Sequence, residues 1–191
     1  MDMNSAIDHE RIRPDGADFR RAMGRFCTGV TVVACGSGPT TEAMTANSLV
    51  SVSLDPLLLL VSVRTTGRLH RRLSDGGNFS VSVLAEDQGP LAALLASPER
   101  PRGTEAWHRL GSWHGRNGAA LTAGSLAAFE CSVEAAHPGG DHTLFLGRVT
   151  EVHHGRPAQP LLFWAGDYPK LADQLSMPAP SRPREVESTH V

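Results

Sequence analysis

Met44-Thr45-Ala46-Asn47-Ser48-Leu49-Val50-Ser51-Val52-Ser53-Leu54-Asp55-Pro56, followed by the apolar run Leu57–Val63, is the stretch that decides how this chain folds. Residues 44–53 read as a strand, yet their side chains are small and several carry short hydroxyls. Such a strand leaves main-chain N–H and C=O groups open to a flat polar ligand. The apolar run behind it is expected to be a strand buried on both faces. Thr45-Ala46-Asn47-Ser48 therefore has two readings. One is a cradle for an aromatic heterocycle, with backbone amides and the Asn47 and Ser48 side chains pairing with ring nitrogens and carbonyls. The other is an edge strand with solvent-facing hydroxyls, and composition alone leaves both open.

Upstream, Phe19, Ala22, Met23 and Phe26 recur at helical spacing and form one helix face, with Asp15 or Asp18 as cap. Thr28–Ala34 is β-branched and reads as a strand, and Gly36–Pro39 reads as a turn. Downstream, Arg68–Leu73 reads as a short helix, and Phe79–Leu84 alternates as a strand does. Asp87 is a candidate cap for a helix with Pro90 in its first turn. Residues 97–118, rich in Pro, Gly, Arg, His and Trp, read as a long loop of the functional kind. Ala127, Phe129, Cys131 and Val133 alternate with polar neighbours, and 143–152 and 161–164 supply two more strands. Six or seven strands with few helices predict a mainly β chain, closed as a barrel. The domain is expected over 17–172, between a flexible arm (1–16) and a Pro/Ser-rich disordered tail (173–191).

Bulk properties exclude several classes. The chain has 191 residues, enough for one domain with its own core. A net charge of −2 argues against nucleic acid as the main partner. The N-terminus lacks an apolar signal segment, and the apolar run at 56–63 is too short to span a bilayer, so no membrane role is expected. Cys27, Cys35 and Cys131 form no close pair and read as reduced, buried thiols in a cytoplasmic protein.

Two further segments carry chemistry. Ser62-Val63-Arg64-Thr65-Thr66-Gly67-Arg68 runs from the apolar stretch into a helix. Free N–H groups there, with Arg64 and Arg68, suit a phosphate, although a plain capped loop reads the same way. It is not a P-loop, because no Gly-Lys-Ser/Thr follows. Gly139-Gly140-Asp141-His142-Thr143 is a tight turn delivering one imidazole, either to a ligand or simply to solvent. The remaining histidines show no metal spacing, so no metal is expected, and no nucleophile elbow is present. Trp107, Trp113, Trp164 and Tyr168 wall a pocket or fill the core.

The chain resembles the short-chain flavin reductases of the FMN-binding split barrel, the reductase partners of two-component flavin monooxygenases. The likeness runs from about Asp18 to Leu171 and rests on four ordered blocks: Phe19–Val33, Met44–Pro56, Phe79–Gln88 and Gly140–Val149. It implies a homodimer of split β-barrels with a few short helices. In it Met44, Thr45, Ala46, Asn47 and Ser48 hold the isoalloxazine edge, Ser62, Val63 and Arg64 line the ring and ribityl chain, and the Thr66-Gly67-Arg68 turn takes the phosphate. His142 and Tyr168 match positions that contact the nicotinamide nucleotide. The phosphate turn departs from the pattern: Gly67 stands where relatives usually carry serine, which leaves the work to backbone amides and arginines. Pro169 follows Tyr168 where a basic residue is common.

The implied activity is hydride transfer from NADH or NADPH to FMN or FAD, by positioning rather than acid–base catalysis, with reduced flavin passed to a partner monooxygenase. Two rivals are a split-barrel enzyme that retains its flavin and acts on an organic substrate, and a flavin- or haem-binding module without turnover.

Overall fold

The computed structural model describes residues 15–171. The expected arm lies outside them as far as residue 14, and the expected tail lies outside them entirely. Asp15 is the first described residue: its carboxylate accepts from the Ala17 and Asp18 N–H groups and caps helix α1 (Gly16–Met23).

Eleven strands follow: β1 (Thr28–Gly29), β2 (Thr31–Cys35), β3 (Glu42–Ala46), β4 (Val50–Leu54), β5 (Leu57–Arg64), β6 (Asn78–Val83), β7 (Trp113–His114), β8 (Ala120–Leu121), β9 (Ala127–Gly139), β10 (His142–His154) and β11 (Leu162–Phe163). Helix α2 (Arg68–Ser74) lies between β5 and β6, and α3 (Gly89–Ala96) and α4 (Gly103–Leu110) lie between β6 and β7. Seven strands form one antiparallel sheet in the order β3-β2-β6-β9-β10-β5-β4.

That order forces closure. β3 and β4 are the two edges of the sheet, yet only Asn47, Ser48 and Leu49 join them. Across a flat seven-stranded sheet the edges would stand about 29 Å apart. The link from Ala46 to Val50 spans at most about 14 Å. The sheet therefore curls into a barrel that is open along one seam, and residues 47–49 cross that seam. This is the expected split barrel, with the single predicted strand 44–53 corrected to two edge strands that flank a break.

The interior holds Val33, Val61, Val63, Phe79, Val81 and Phe145, and α2 plugs one end through Leu69 and Leu73. Gly147 is required here, since a Cβ would come within 2.4 Å of the Phe79 ring. A second cluster forms outside β2, where Val30, Val32 and Ala34 meet Leu95 of α3 and Leu110 of α4. β2 is thus buried on both faces, as is β6 over Phe79–Ser82. β5, expected to be so, alternates instead: Leu59, Val61 and Val63 point inward, while Leu57 and Arg64 are exposed and Leu58, Leu60 and Ser62 half-buried.

Other expectations need correction. Thr28–Ala34 is broken at Val30 into β1 and β2, and β1 pairs with β11 rather than joining the main sheet. Gln88, not Asp87, stands at the N-cap position of α3, and its side chain makes no capping bond there. Asp87 instead pairs with Arg156. The 97–118 segment is no open loop, for it contains α4 and β7 and is pinned to the barrel by the buried Glu130. The Glu130 carboxylate accepts from the Asn117 N–H at 2.7 Å and from His153 Nε2 at 2.8 Å. Burial alone would raise its pKa. The hydrogen bonds from the Asn117 N–H, His153 and the Arg116 N–H outweigh that and hold it below the ordinary glutamate range. Cys35 and Cys131 are buried as expected, and burial pushes both thiols up to about 12. Cys27 is exposed.

Candidate functional site

The register of β4, β5 and β10 places Ser62 beside Leu144, and Arg64 beside His142. Because side chains alternate across a strand, Leu60, Ser62, Arg64, His142 and Leu144 share the outer face of the barrel wall. At the seam, Ser48 sits where a strand residue would have faced Ser62. Its hydroxyl replaces the missing ladder bond, accepting from the Ser62 N–H at 3.0 Å and donating to the Ser62 carbonyl at 3.3 Å. The main-chain groups of Asn47, Ser48 and Leu49 enter no backbone hydrogen bond among the described residues. The exposed Asn47 side chain is likewise unpartnered there.

A groove of about 1340 Å³ opens over this seam. Asn47, Ser48, Val50, Leu60 and Ser62 form its floor, and α1 with residues 24–29 and Trp164–Gly166 forms its walls. The α1 wall is held by a hydrogen bond from the Ala165 N–H to the Gly24 carbonyl at 2.8 Å. No residue of 97–118 lines the groove, so that segment does not shape it.

The predicted site residues divide accordingly. Asn47, Ser48 and Ser62 meet in the groove. Met44 and Ala46 pack on the barrel interior, and the Val63 side chain is fully buried there, so only main-chain atoms of these residues face outward. The Thr45 hydroxyl donates to the Ala92 carbonyl at 2.7 Å and is occupied. Arg64 and His142 lie farther along the same outer face, joined through Asp141. The Asp141 carboxylate takes the His142 Nδ1 hydrogen at 2.7 Å and lies 3.8 Å from the Arg64 guanidinium. The His142 hydrogen bond, with Arg64 nearby, holds Asp141 below the ordinary aspartate range. The Asp141 carbonyl also accepts from the Thr65 N–H, which ties the hairpin tip to β5.

The phosphate turn is less open than its sequence suggests. Arg68 donates to Glu42 at 3.0 Å and to the Arg100 carbonyl at 3.0 Å, so its charge is committed within the fold. Thr66 is exposed, and the Gly67 N–H is taken by the Arg64 carbonyl at 2.9 Å. Tyr168 stands apart from His142. Its ring centroid lies 5.7 Å from that of Phe163, and with Thr45, Ala46 and Asn47 it lines a smaller cavity of about 180 Å³.

Sequence reasoning missed the α1 wall. Arg20, Arg25, Phe26 and Trp164 border the groove, where the spacing of Phe19, Met23 and Phe26 predicts a helix face without naming what it meets. In the fold Phe19 is 64% exposed, Met23 50% and Phe26 67%. The stripe carries a true helical signal; periodicity simply cannot say which surface it meets. Among the described residues no helix is long and apolar enough to cross a membrane.

Residues 23–172 match the profile of the flavin reductase like domain, and the chain belongs to that family. An NADH-dependent FMN reductase of Streptomyces nodosus subsp. asukaensis is 48% identical over 169 residues, covering 86% of this chain and 91% of the relative. The reductase subunit of a flavin-dependent monooxygenase from Rhodococcus jostii (strain RHA1) is 34% identical over 181 residues, covering 94% of this chain and 89% of the relative. Among solved structures, the flavin reductase component of a bacterial two-component tryptophan halogenase superposes with a TM-score of 0.78 at 42% identity, covering 84% of this chain and all of that one.

Proposed function

We propose that this member of the flavin reductase family oxidises NADH, reduces FMN or FAD, and hands the reduced flavin to a separate flavin-dependent monooxygenase. The observation that carries the reading is the seam: unbonded main-chain groups and a free Asn47 amide beside a groove walled by Phe26 and Trp164. A flat heterocycle with carbonyls and ring nitrogens along one edge fits such a surface, since its apolar face meets aromatic walls and its polar edge meets unpaired donors and acceptors.

A bound flavin supplies the hydride-accepting ring. The chain's own residues hold and orient. Asn47 and the main chain of 46–48 pair with the polar edge, and Ser62 and the main chain of Val63 support the ring from below. The Thr66–Arg68 turn faces the ribityl phosphate through backbone N–H groups and Arg64. His142, oriented by Asp141, presents Nε2 to the nicotinamide carboxamide, and Tyr168 closes the far side. No side chain is needed as general base, because the reaction requires two rings held in contact rather than a proton removed.

A homodimer belongs to the same proposal. Val50, Val52, Leu54 and Leu57 lie exposed along the β4 edge, Leu54 by 83%, and the α1 stripe is exposed as well. A second copy covering both would remove this apolar surface from water. Light scattering on the purified protein is expected to give twice the chain mass; a monomer overturns this part.

The reaction is tested by mixing protein with NADH and either flavin and following absorbance at 340 nm. Loss of NADH in proportion to added free flavin supports the proposal. Turnover indifferent to added flavin points to a retained cofactor, and no turnover rejects the reductase.

A further inference from the structure

We infer that Arg20 and Arg25, on the α1 wall of the groove, bind the phosphate groups of a nucleotide lying over the seam, and so make this site prefer phosphorylated over unphosphorylated ligands. The inference rests on the flavin reductase reading and adds to it a charge site separate from the phosphate turn, whose residues do not line the groove.

Three observations carry it. Arg20, Arg21 and Arg25 line the groove, and no carboxylate does. In a chain of net charge −2, this concentrates positive potential in one concave place, where low-dielectric walls focus it. Second, Arg21 is paired with Asp18, whereas Arg20 and Arg25 have no ion-pair partner among the described residues. Third, the turn expected to supply counter-charge has its Arg68 committed to Glu42, and Arg64 stands beside Asp141. The uncommitted guanidinium groups that share the groove with Asn47, Ser48 and Ser62 are therefore those of Arg20 and Arg25. Cations in a last helical turn also answer the helix dipole, which accounts for Arg20 and Arg21 in part. Arg25 lies beyond the end of α1, where that explanation does not reach.

A guanidinium pair suits a pyrophosphate, whose oxygens accept planar, bidentate donors. The same chemistry is offered by the flavin (FMN or FAD) and by the dinucleotide donor, and two arms separate them. In the first, the full-length protein and R20A, R25A and R20A/R25A variants are titrated with riboflavin, FMN and FAD by flavin fluorescence. In the second, KM is compared for NADH and for reduced nicotinamide riboside, which carries no phosphate. The expected result is a loss of about ten-fold per arginine in affinity for the phosphorylated ligand of one arm, with riboflavin affinity unchanged as the sign of an intact fold. Arg→Lys variants should recover part of the loss. If the preference for phosphorylated ligands stays the same in both arms, the inference is overturned while the reductase reading stands. If no flavin is bound or reduced by the wild-type protein, both fall together.

Discussion

The hydroxyl of Ser48 closes the barrel onto Ser62, taking the N–H and returning a bond to the carbonyl of the same residue. One small side chain thereby does the work of a ladder rung where the strand must break. Replacing it leaves the Ser62 N–H half-buried without a partner. Ser48→Ala should cost about 1–2 kcal/mol of stability, read as a lower melting temperature, and should weaken flavin binding because Asn47 loses its anchor. Unchanged melting and flavin affinity would show that the rung is dispensable.

His142 and Asp141 form a pair whose carboxylate fixes the ring. With Nδ1–H given to Asp141, Nε2 is the ring nitrogen left without a partner among the described residues. His142→Ala should raise the KM for NADH about ten-fold and leave flavin affinity near wild type. If flavin affinity collapses while the NADH KM holds, the residue serves the other ligand. The Asp141 pKa lies below its ordinary value, so its charge is present above that value and lost only as pH falls through the lower folded one. NADH KM should therefore show no Asp141 titration between pH 5 and 8.

Glu130 ties Asn117 and His153 to the barrel from a fully buried position. Glu130→Gln keeps the shape but removes the charge that these donors satisfy, and should cost about 2 kcal/mol. Hydrogen exchange at the Asn117 amide should speed up with it. The folded pKa is depressed, so the stabilisation is complete above the ordinary value of 4.5 and disappears as pH drops through the folded value. Acid unfolding should accordingly be less steep in the variant; identical acid limbs would place the stabilisation elsewhere.

The thiols should separate by burial. Cys27 is open, while Cys35 and Cys131 are enclosed with their pKa values pushed up to about 12. Iodoacetamide at pH 8 should label one site in the native protein and three after denaturation, as read by mass spectrometry. Native labelling at Cys131 would mean that the barrel opens on the timescale of the reaction.

Most of the strands, three of the four α-helices and the family itself were legible in the chain. Alternation marked β6 and β9, helical spacing marked α1, and the runs around Asn47, Phe79 and His142 carried the resemblance. These are local properties, set by how each side chain leaves the backbone, and a linear reading retains them. Which face of an element finds a neighbour is not local. The stripe Phe19-Met23-Phe26 has helical spacing but lies exposed beside the groove; Leu57–Val63 is apolar except for Ser62 but buries only alternate residues; Arg68 reads as a phosphate ligand but is drawn to Glu42, 26 positions away. Each outcome depended on a partner brought near by sheet order. That order set the two edges beside a three-residue link, and so fixed where the barrel splits and where main chain stands uncovered. Sequence alone determined what each segment is able to form; closure of the sheet decided which groups remained free to bind, because only in three dimensions do donors and acceptors compete for the same partners.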